Sequence, residues 1–124
     1  MTDFDFVLLY VRRPADSAAF YADLLGRPAV ESSPNFARFA LAGGRMLGLW
    51  ARDDVQPPPA PGDGAGHREL AVTVADAAAV RALHADWSAR GLAIAQPPTA
   101  MDFGFTFVAL DPDGHRLRVF APAP

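Results

Sequence analysis

The sequence contains no cysteine and no lysine. The first absence removes disulfides, thiol nucleophiles and thiolate metal sites together. The second leaves arginine as the main cation, and its planar guanidinium suits stacking and paired contacts to carboxylates better than an ammonium does. No run of about 18 apolar residues occurs, so a membrane-spanning helix is not expected. The opening "MTDFDFVLLYVRRP" lacks the basic segment and small-residue cleavage site of a secretory leader, which makes a cytoplasmic protein the expectation. No long basic run exists and the formal net charge is −3, so nucleic acid is not an expected partner.

The chain does hold apolar surface: 51% of its 124 residues are hydrophobic, enough for one domain with a real core. "DFVLLYV" reads as a buried strand, and "PADSAAFYADLLG" as a helix that starts at Pro14 and stops at Gly26. Ser17, Phe20, Tyr21, Leu24 and Leu25 recur at helical spacing and are expected on one buried face. Short strands follow in "PAVES", "FARFAL" and "RMLGLWA", the last two joined by a two-residue Gly43-Gly44 turn. A Pro/Gly/Asp-rich linker, "RDDVQPPPAPGDGAGH", has no periodicity.

The pattern then repeats. "RELAVTVA" is a strand, Asp76 caps a helix that presents Val80, Leu83 and Trp87 on one side, and Gly91 ends it. "LAIAQ", "FTFVAL" and "RLRVFA" are three more strands, the last pair joined by the Asp111-Pro112-Asp113-Gly114 turn, whose residues serve the hairpin. The chain is therefore expected to be α+β, with two βαβββ modules at about 1–52 and 67–124 and a linker at about 53–66. Neither module can bury both faces of its own sheet, so the two are expected to pair into a cup-shaped or barrel-like sheet with helices outside.

The stretches "LYVRRPADSAAFYADLLG", "RMLGLW", "ELAVTVAD" and "FVALDPDGHRLRVF" resemble the vicinal oxygen chelate superfamily, also called the glyoxalase/bleomycin-resistance/dioxygenase family. Within it, "LYV", "FYADLLG", "LGLW", "FGFTF" and "DPDGHRLRV" are most similar to the phenazine-antibiotic-resistance binding proteins. The resemblance covers nearly the whole chain. It implies paired modules around a cup and a homodimer in which two chains complete each cavity. Metal-dependent members place one ligand on each of four strands, and the matching positions here are Phe6, Gly48, Glu69 and Arg118. A ring, a hydrogen, one carboxylate and a permanent cation do not make a metal site. No cofactor is therefore expected. His67, His84 and His115 are read as surface or hydrogen-bonded histidines.

Strand alternation supplies the expected lining of the cup. Strand one contributes Leu8 and Tyr10 beside Phe6; the "LGLW" strand contributes Met46 and Trp50; the fifth strand contributes Ala71 and Thr73 beside Glu69. A four-residue DPDG turn places Phe105, Phe107, Arg116, Arg118 and Phe120 on the same face, and the two-residue glycine turn adds Phe39. Val7, Leu9, Leu47, Leu49, Val72, Val108, Leu117 and Val119 are then the core beneath the helices. Gly48 leaves space above the floor for a flat ligand, and Trp50 is either a stacking partner or an interface aromatic. Phe105, Phe107 and Phe120 are lining or plain core. Glu69 and Arg118 contact the ligand or form a structural ion pair. Met101, Asp102 and Phe103 form a loop placed to close over a ligand.

Two functions are open at this point. One is a metal-free, non-catalytic protein that sequesters a planar aromatic compound, as in antibiotic resistance of the phenazine type. The other is an enzyme: a glyoxalase-like lyase, a dioxygenase, or a metal-free isomerase with Glu69 as base. A third option is a partner-binding subunit whose cup is filled by its own side chains.

Overall fold

The structure, a computed structural model, describes residues 3–59, 68–110, 112 and 114–124. Asp111, Asp113, His67 and linker residues 60–66 lie outside the described residues, and with them the expected DPDG turn.

Eight strands and two helices follow the expected order. Module one holds β1 (Phe6–Val11), α1 (Pro14–Leu25), β2 (Glu31–Ser33), β3 (Phe36–Ala40) and β4 (Met46–Ala51). Module two holds β5 (Arg68–Thr73), α2 (Ala77–Ala89), β6 (Ala93–Met101), β7 (Gly104–Leu110) and β8 (Arg116–Pro122). One sheet runs β2-β3-β4-β1-β5-β8-β7-β6. The modules join through the antiparallel β1–β5 pair, in which Val7 faces Leu70 and Leu8 faces Glu69. Asp5 clasps this seam: its Oδ1 accepts from the Thr73 amide at 3.0 Å and from the Thr73 hydroxyl at 3.2 Å.

The helix ends follow from local chemistry. Pro14 occupies the first turn of α1, where its missing N–H costs nothing, and Gly26 (φ 70) closes the helix by donating its N–H to Ala22. The Asp76 carboxylate accepts from the Ala79 amide at 2.9 Å at the start of α2. The buried face of α1 is rotated from the expected one. Ala18, Tyr21, Ala22 and Leu25 pack on Phe39 and Leu49, while Phe20 and Leu24 are exposed. Two small alanines let the helix approach the sheet closely, and the larger residues beside them are left outside. In module two, Val80, Leu83 and Trp87 pack on Phe107 and Val119 as expected. Burying a side chain such as Phe107 contributes about 1.5–3 kcal/mol.

The pairing register of both hairpins is shifted by one residue from expectation, with the same result. Between β3 and β4 the last pair is Ala40 with Met46, and Leu41 donates its N–H to Arg45 at 2.7 Å. Gly43 and Gly44 (φ 76 and 77) take the left-handed conformation inside this longer turn. Between β7 and β8 the last pair is Leu110 with Arg116. Each loop holds an odd number of residues where an even number was expected, and a one-residue slip moves a strand's side chains to the opposite face. β6 also runs further than "LAIAQ", through Pro97 and Pro98 to Met101, with register shifts either side of Gln96. Asp102 and Phe103 are then the tip of the β6–β7 hairpin rather than a free loop.

Candidate functional site

The concave face is read directly from the ladders. Tyr10 pairs with Trp50, Leu8 with Gly48 and Phe6 with Met46 across β1–β4. Phe36 pairs with Trp50 and Arg38 with Gly48 across β3–β4. Ala71 pairs with Arg118, and Glu69 with Arg116, across β5–β8. These residues share one face, and Phe6, Leu8 and Ala71 form its apolar centre with Phe36, Met46, Trp50 and Phe120 packed around them.

Three expected lining residues are not there. Phe39 lies on the helix side with Leu49. Phe107 lies under α2, with His84 and Trp87 edge-on at 5.2 and 5.5 Å. Phe105 is also on that side, with the Arg81 guanidinium 4.7 Å above its ring. In their place the corrected registers bring Phe36 and Arg38 from β3, and Thr106 and Val108 from β7, onto the concave face. Val108 therefore leaves the set expected beneath the helices.

Gly48 is a further correction. A Cβ built there meets Phe6 Cε1 at 2.7 Å, Leu8 Cδ2 at 2.8 Å and Phe36 Cε1 at 3.2 Å. The space its missing side chain leaves is filled by the protein's own rings and methyls, so it is a packing glycine in the floor.

Beneath Trp50 lies a buried polar network. Arg118 Nε donates to Glu69 Oε1 at 2.6 Å, and both side chains are almost wholly buried. The Tyr10 hydroxyl donates to Glu69 Oε2 at 2.5 Å. Arg118 also donates to Thr106 Oγ1 at 3.3 Å and to the Gln56 carbonyl at 2.7 Å. Arg116 donates to the carbonyls of Pro57 at 2.6 Å and Pro58 at 2.8 Å. Burial first, then the Glu69 carboxylate, push the Tyr10 phenol well above its usual value. The guanidinium of Arg118 lies 5.3 Å from the Trp50 ring and 5.5 Å from the Phe103 ring, so the two aromatics roof the ion pair.

This arrangement is a poor metal site. Of the four positions at which metal-dependent relatives hold ligands, Phe6 and Gly48 offer no donor atom and Arg118 is a cation. Both Glu69 oxygens are already engaged by Arg118 and Tyr10. The described residues contain no cluster of three His, Asp or Glu side chains that suits a metal ion.

Above the network is a cavity of about 950 Å³ with walls from both modules of the one chain. Phe6, Phe36, Met46 and Trp50 come from module one; Met101, Phe103, Arg118 and Phe120 come from module two. Phe103 reaches in from the β6–β7 tip and meets Trp50 edge-on at 5.9 Å and Phe120 at 6.1 Å. Glu31, Arg38, Asp54, Gln96 and Asp102 add polar groups. Of the expected site residues, Phe6, Met46, Trp50, Arg118 and Phe120 line this cavity, while Tyr10 and Glu69 lie below it. Phe36, Arg38 and Gln96 were not foreseen as lining; the parity of the β3–β4 loop and the β6 irregularities hid them.

The chain belongs to the glyoxalase/bleomycin resistance protein/dioxygenase superfamily, whose profile matches residues 3–119. Its α+β fold, with an open curled sheet and two helices, is of the kind that superfamily builds. A comparison with curated proteins finds no match. Among solved structures, the NAD-dependent benzaldehyde dehydrogenase from Legionella pneumophila is 45% identical with a TM-score of 0.87, over 95% of this chain and 98% of that one. A glyoxalase/bleomycin resistance protein/dioxygenase superfamily member from Vibrio splendidus 12B01 is 18% identical with a TM-score of 0.59, over 99% of this chain and 100% of that one. The Mn(II)-bound glyoxalase from Novosphingobium aromaticivorans is 20% identical with a TM-score of 0.60, over 98% of this chain and 40% of that one. The last two share the fold.

Proposed function

We propose that this protein binds and sequesters a planar aromatic small molecule in the concave cavity, without a catalytic step, in the manner of a phenazine-type antibiotic-resistance protein. The observation that carries the proposal is a cavity of about 950 Å³ walled by Phe6, Phe36, Trp50, Phe103 and Phe120, above an ion pair whose groups are all engaged. Apolar concave sites with a few placed polar groups are the usual form of small-molecule pockets. A face of Trp50 not covered by Arg118 is the natural stacking surface for a flat ring.

The enzyme reading fits less well. A general base needs a free lone pair within reach of substrate. Glu69 is poorly placed for this: it is 1% exposed, it does not line the cavity, and its two oxygens are bonded to Arg118 and Tyr10. The Legionella protein brings NAD into question for this chain. A pyrophosphate needs a glycine-lined turn at a helix start. The two strand-to-helix turns here are Arg12-Arg13 before Pro14 and Val74-Ala75 before Asp76, without glycine and in the second case with a carboxylate at the helix start. No helix among the described residues is long and apolar enough to cross a membrane. A cytoplasmic homodimer is part of the proposal, with light scattering of the purified protein as its check.

The test is titration calorimetry with phenazine. Trp50→Ala is expected to weaken binding at least tenfold, about 1.4 kcal/mol, with thermal melts confirming that the variant is folded. Unchanged affinity removes Trp50 from the site. Elemental analysis is expected to find no stoichiometric transition metal; near one equivalent of Zn, Ni, Fe or Mn overturns the metal-free reading.

A further inference from the structure

The polar groups of the cavity have an uneven character, and this deepens the reading just given, on which it rests. Three carboxylates line the space: Glu31 on β2, Asp54 at the start of the linker and Asp102 at the β6–β7 tip. They come from three different elements of the fold. Glu31 is paired with Arg38 at 3.0 Å. The side chains of Asp54 and Asp102 have no hydrogen-bond or ion-pair partner among the described residues. The two cations of the lining are both committed, Arg38 to Glu31 and Arg118 to Glu69. The lining thus holds three carboxylates against two cations.

The wall repeats this bias in a neutral group. Gln96 lines the cavity, and its Oε1 is a buried side-chain acceptor without a donor. Its Nε2 is spent on the Met101 sulfur at 3.5 Å, a weak acceptor. A buried acceptor left unsatisfied is unfavourable, and a ligand N–H reaching this wall would satisfy it. The Asn35 amide is a neutral donor on the opposite side, where its Oδ1 already accepts from Ser33 at 3.0 Å. The unfilled capacity is therefore mainly for hydrogen-bond donors and positive charge. The aromatic rings favour the same partner, because their faces are negative and attract cations.

We infer that the cavity selects a positively charged planar aromatic, a protonated heteroaromatic amine, over a neutral or carboxylated one of the same shape. The rim carboxylates steer and hold the charge while Trp50, Phe36 and Phe103 cover the ring.

Three flat tricyclic probes that differ mainly in charge make the test: 9-aminoacridinium, phenazine and phenazine-1-carboxylate, each titrated into the full chain by calorimetry. At low salt the cation is expected to bind about tenfold more tightly than the anion, the sum of a few screened contacts. About 0.5 M salt shortens the screening length and is expected to shrink that ratio. The exposed double variant Asp54→Asn/Asp102→Asn is expected to narrow it at least threefold. Equal or tighter binding of the carboxylate overturns the charge preference and leaves the aromatic pocket standing. A cation preference untouched by the double variant overturns the assignment to Asp54 and Asp102. Failure of all three probes to bind overturns the pocket itself and this inference with it.

Discussion

The buried Glu69–Arg118 pair makes a quantitative prediction for a double-mutant cycle. Arg118 is 1% exposed, and Glu69 is its only anionic contact among the described residues. Replacing Glu69 by leucine leaves that guanidinium with the Thr106 hydroxyl and the Gln56 carbonyl alone, and leaves the Tyr10 hydroxyl without its acceptor. An uncompensated buried charge costs about 3–5 kcal/mol. Replacing Arg118 by methionine strands the Glu69 carboxylate instead, again at about 3 kcal/mol, softened by the Tyr10 hydroxyl that still donates to it. The double variant Glu69→Leu/Arg118→Met removes both charges of the pair. What it still loses is the donor to Gln56 O and the acceptor for Tyr10, about 2–4 kcal/mol together. The double cost should therefore fall short of the summed single costs by about 2–6 kcal/mol. Urea unfolding followed by far-UV circular dichroism measures all four corners. Because a single variant can lose most of a domain's stability, Glu69→Gln provides a gentler corner: it keeps an acceptor for Arg118 Nε, removes only the charge, and should cost about 1–3 kcal/mol. Single costs below about 1 kcal/mol, or strict additivity, would mean that water reaches the pair and that the floor beneath Trp50 is open.

Two further predictions concern the same floor. Gly48→Ala should destabilise by about 1–3 kcal/mol in urea, since its Cβ must displace Phe6, Leu8 or Phe36; a neutral result would mean that open space lies above the glycine after all. Tyr10 holds its proton in the folded state beyond the point where an unfolded chain releases it. Its contribution is complete below about pH 10 and is lost as pH rises past that value. Tyr10→Phe should therefore flatten the decline of the urea midpoint between about pH 10 and pH 11, and an unchanged slope would sink that assignment.

The sequence carried the element order, the duplication and the helix boundaries plainly, because each has a local chemical cause. Pro14, Gly26, Asp76 and Gly91 mark ends whatever the rest of the chain does. Strand facing is different. On β1, β4, β5 and β8 the parallel and seam pairings leave alternation intact, so Phe6, Trp50, Glu69, Arg118 and Phe120 were placed correctly on the concave face. On β3 and β7 the facing hangs on the parity of a hairpin loop. "LAGGR" and "DPDGH" each read as an even turn from their best turn residues, of two and four residues, yet the flanking pairs leave five residues in each loop. Phe39, Phe105 and Phe107 went to the wrong side for that reason alone. A cue was present: Phe36 and Arg38 give β3 one inward aromatic and one inward charge, a mixture that suits a pocket wall, while Ala37 and Phe39 suit a core.

The two arginines of β8 have a cause that is legible in the linker once both are seen together. "VQPPP" is poor in backbone N–H groups, because proline has none, but its carbonyls remain. Carbonyls held against a sheet face need donors from somewhere. Arg116 and Arg118 provide them, to Pro57, Pro58 and Gln56, while Val55 is buried alongside. An arginine can do this and serve a carboxylate at once, since its five N–H groups point several ways. The Glu69 charge is thus neutralised from within, by a side chain that also ties the linker down beneath the rim. Here the internal cation lies against the Trp50 and Phe103 rings. What the cavity then presents is ring faces and rim carboxylates, the features on which the proposed preference for a flat cation rests.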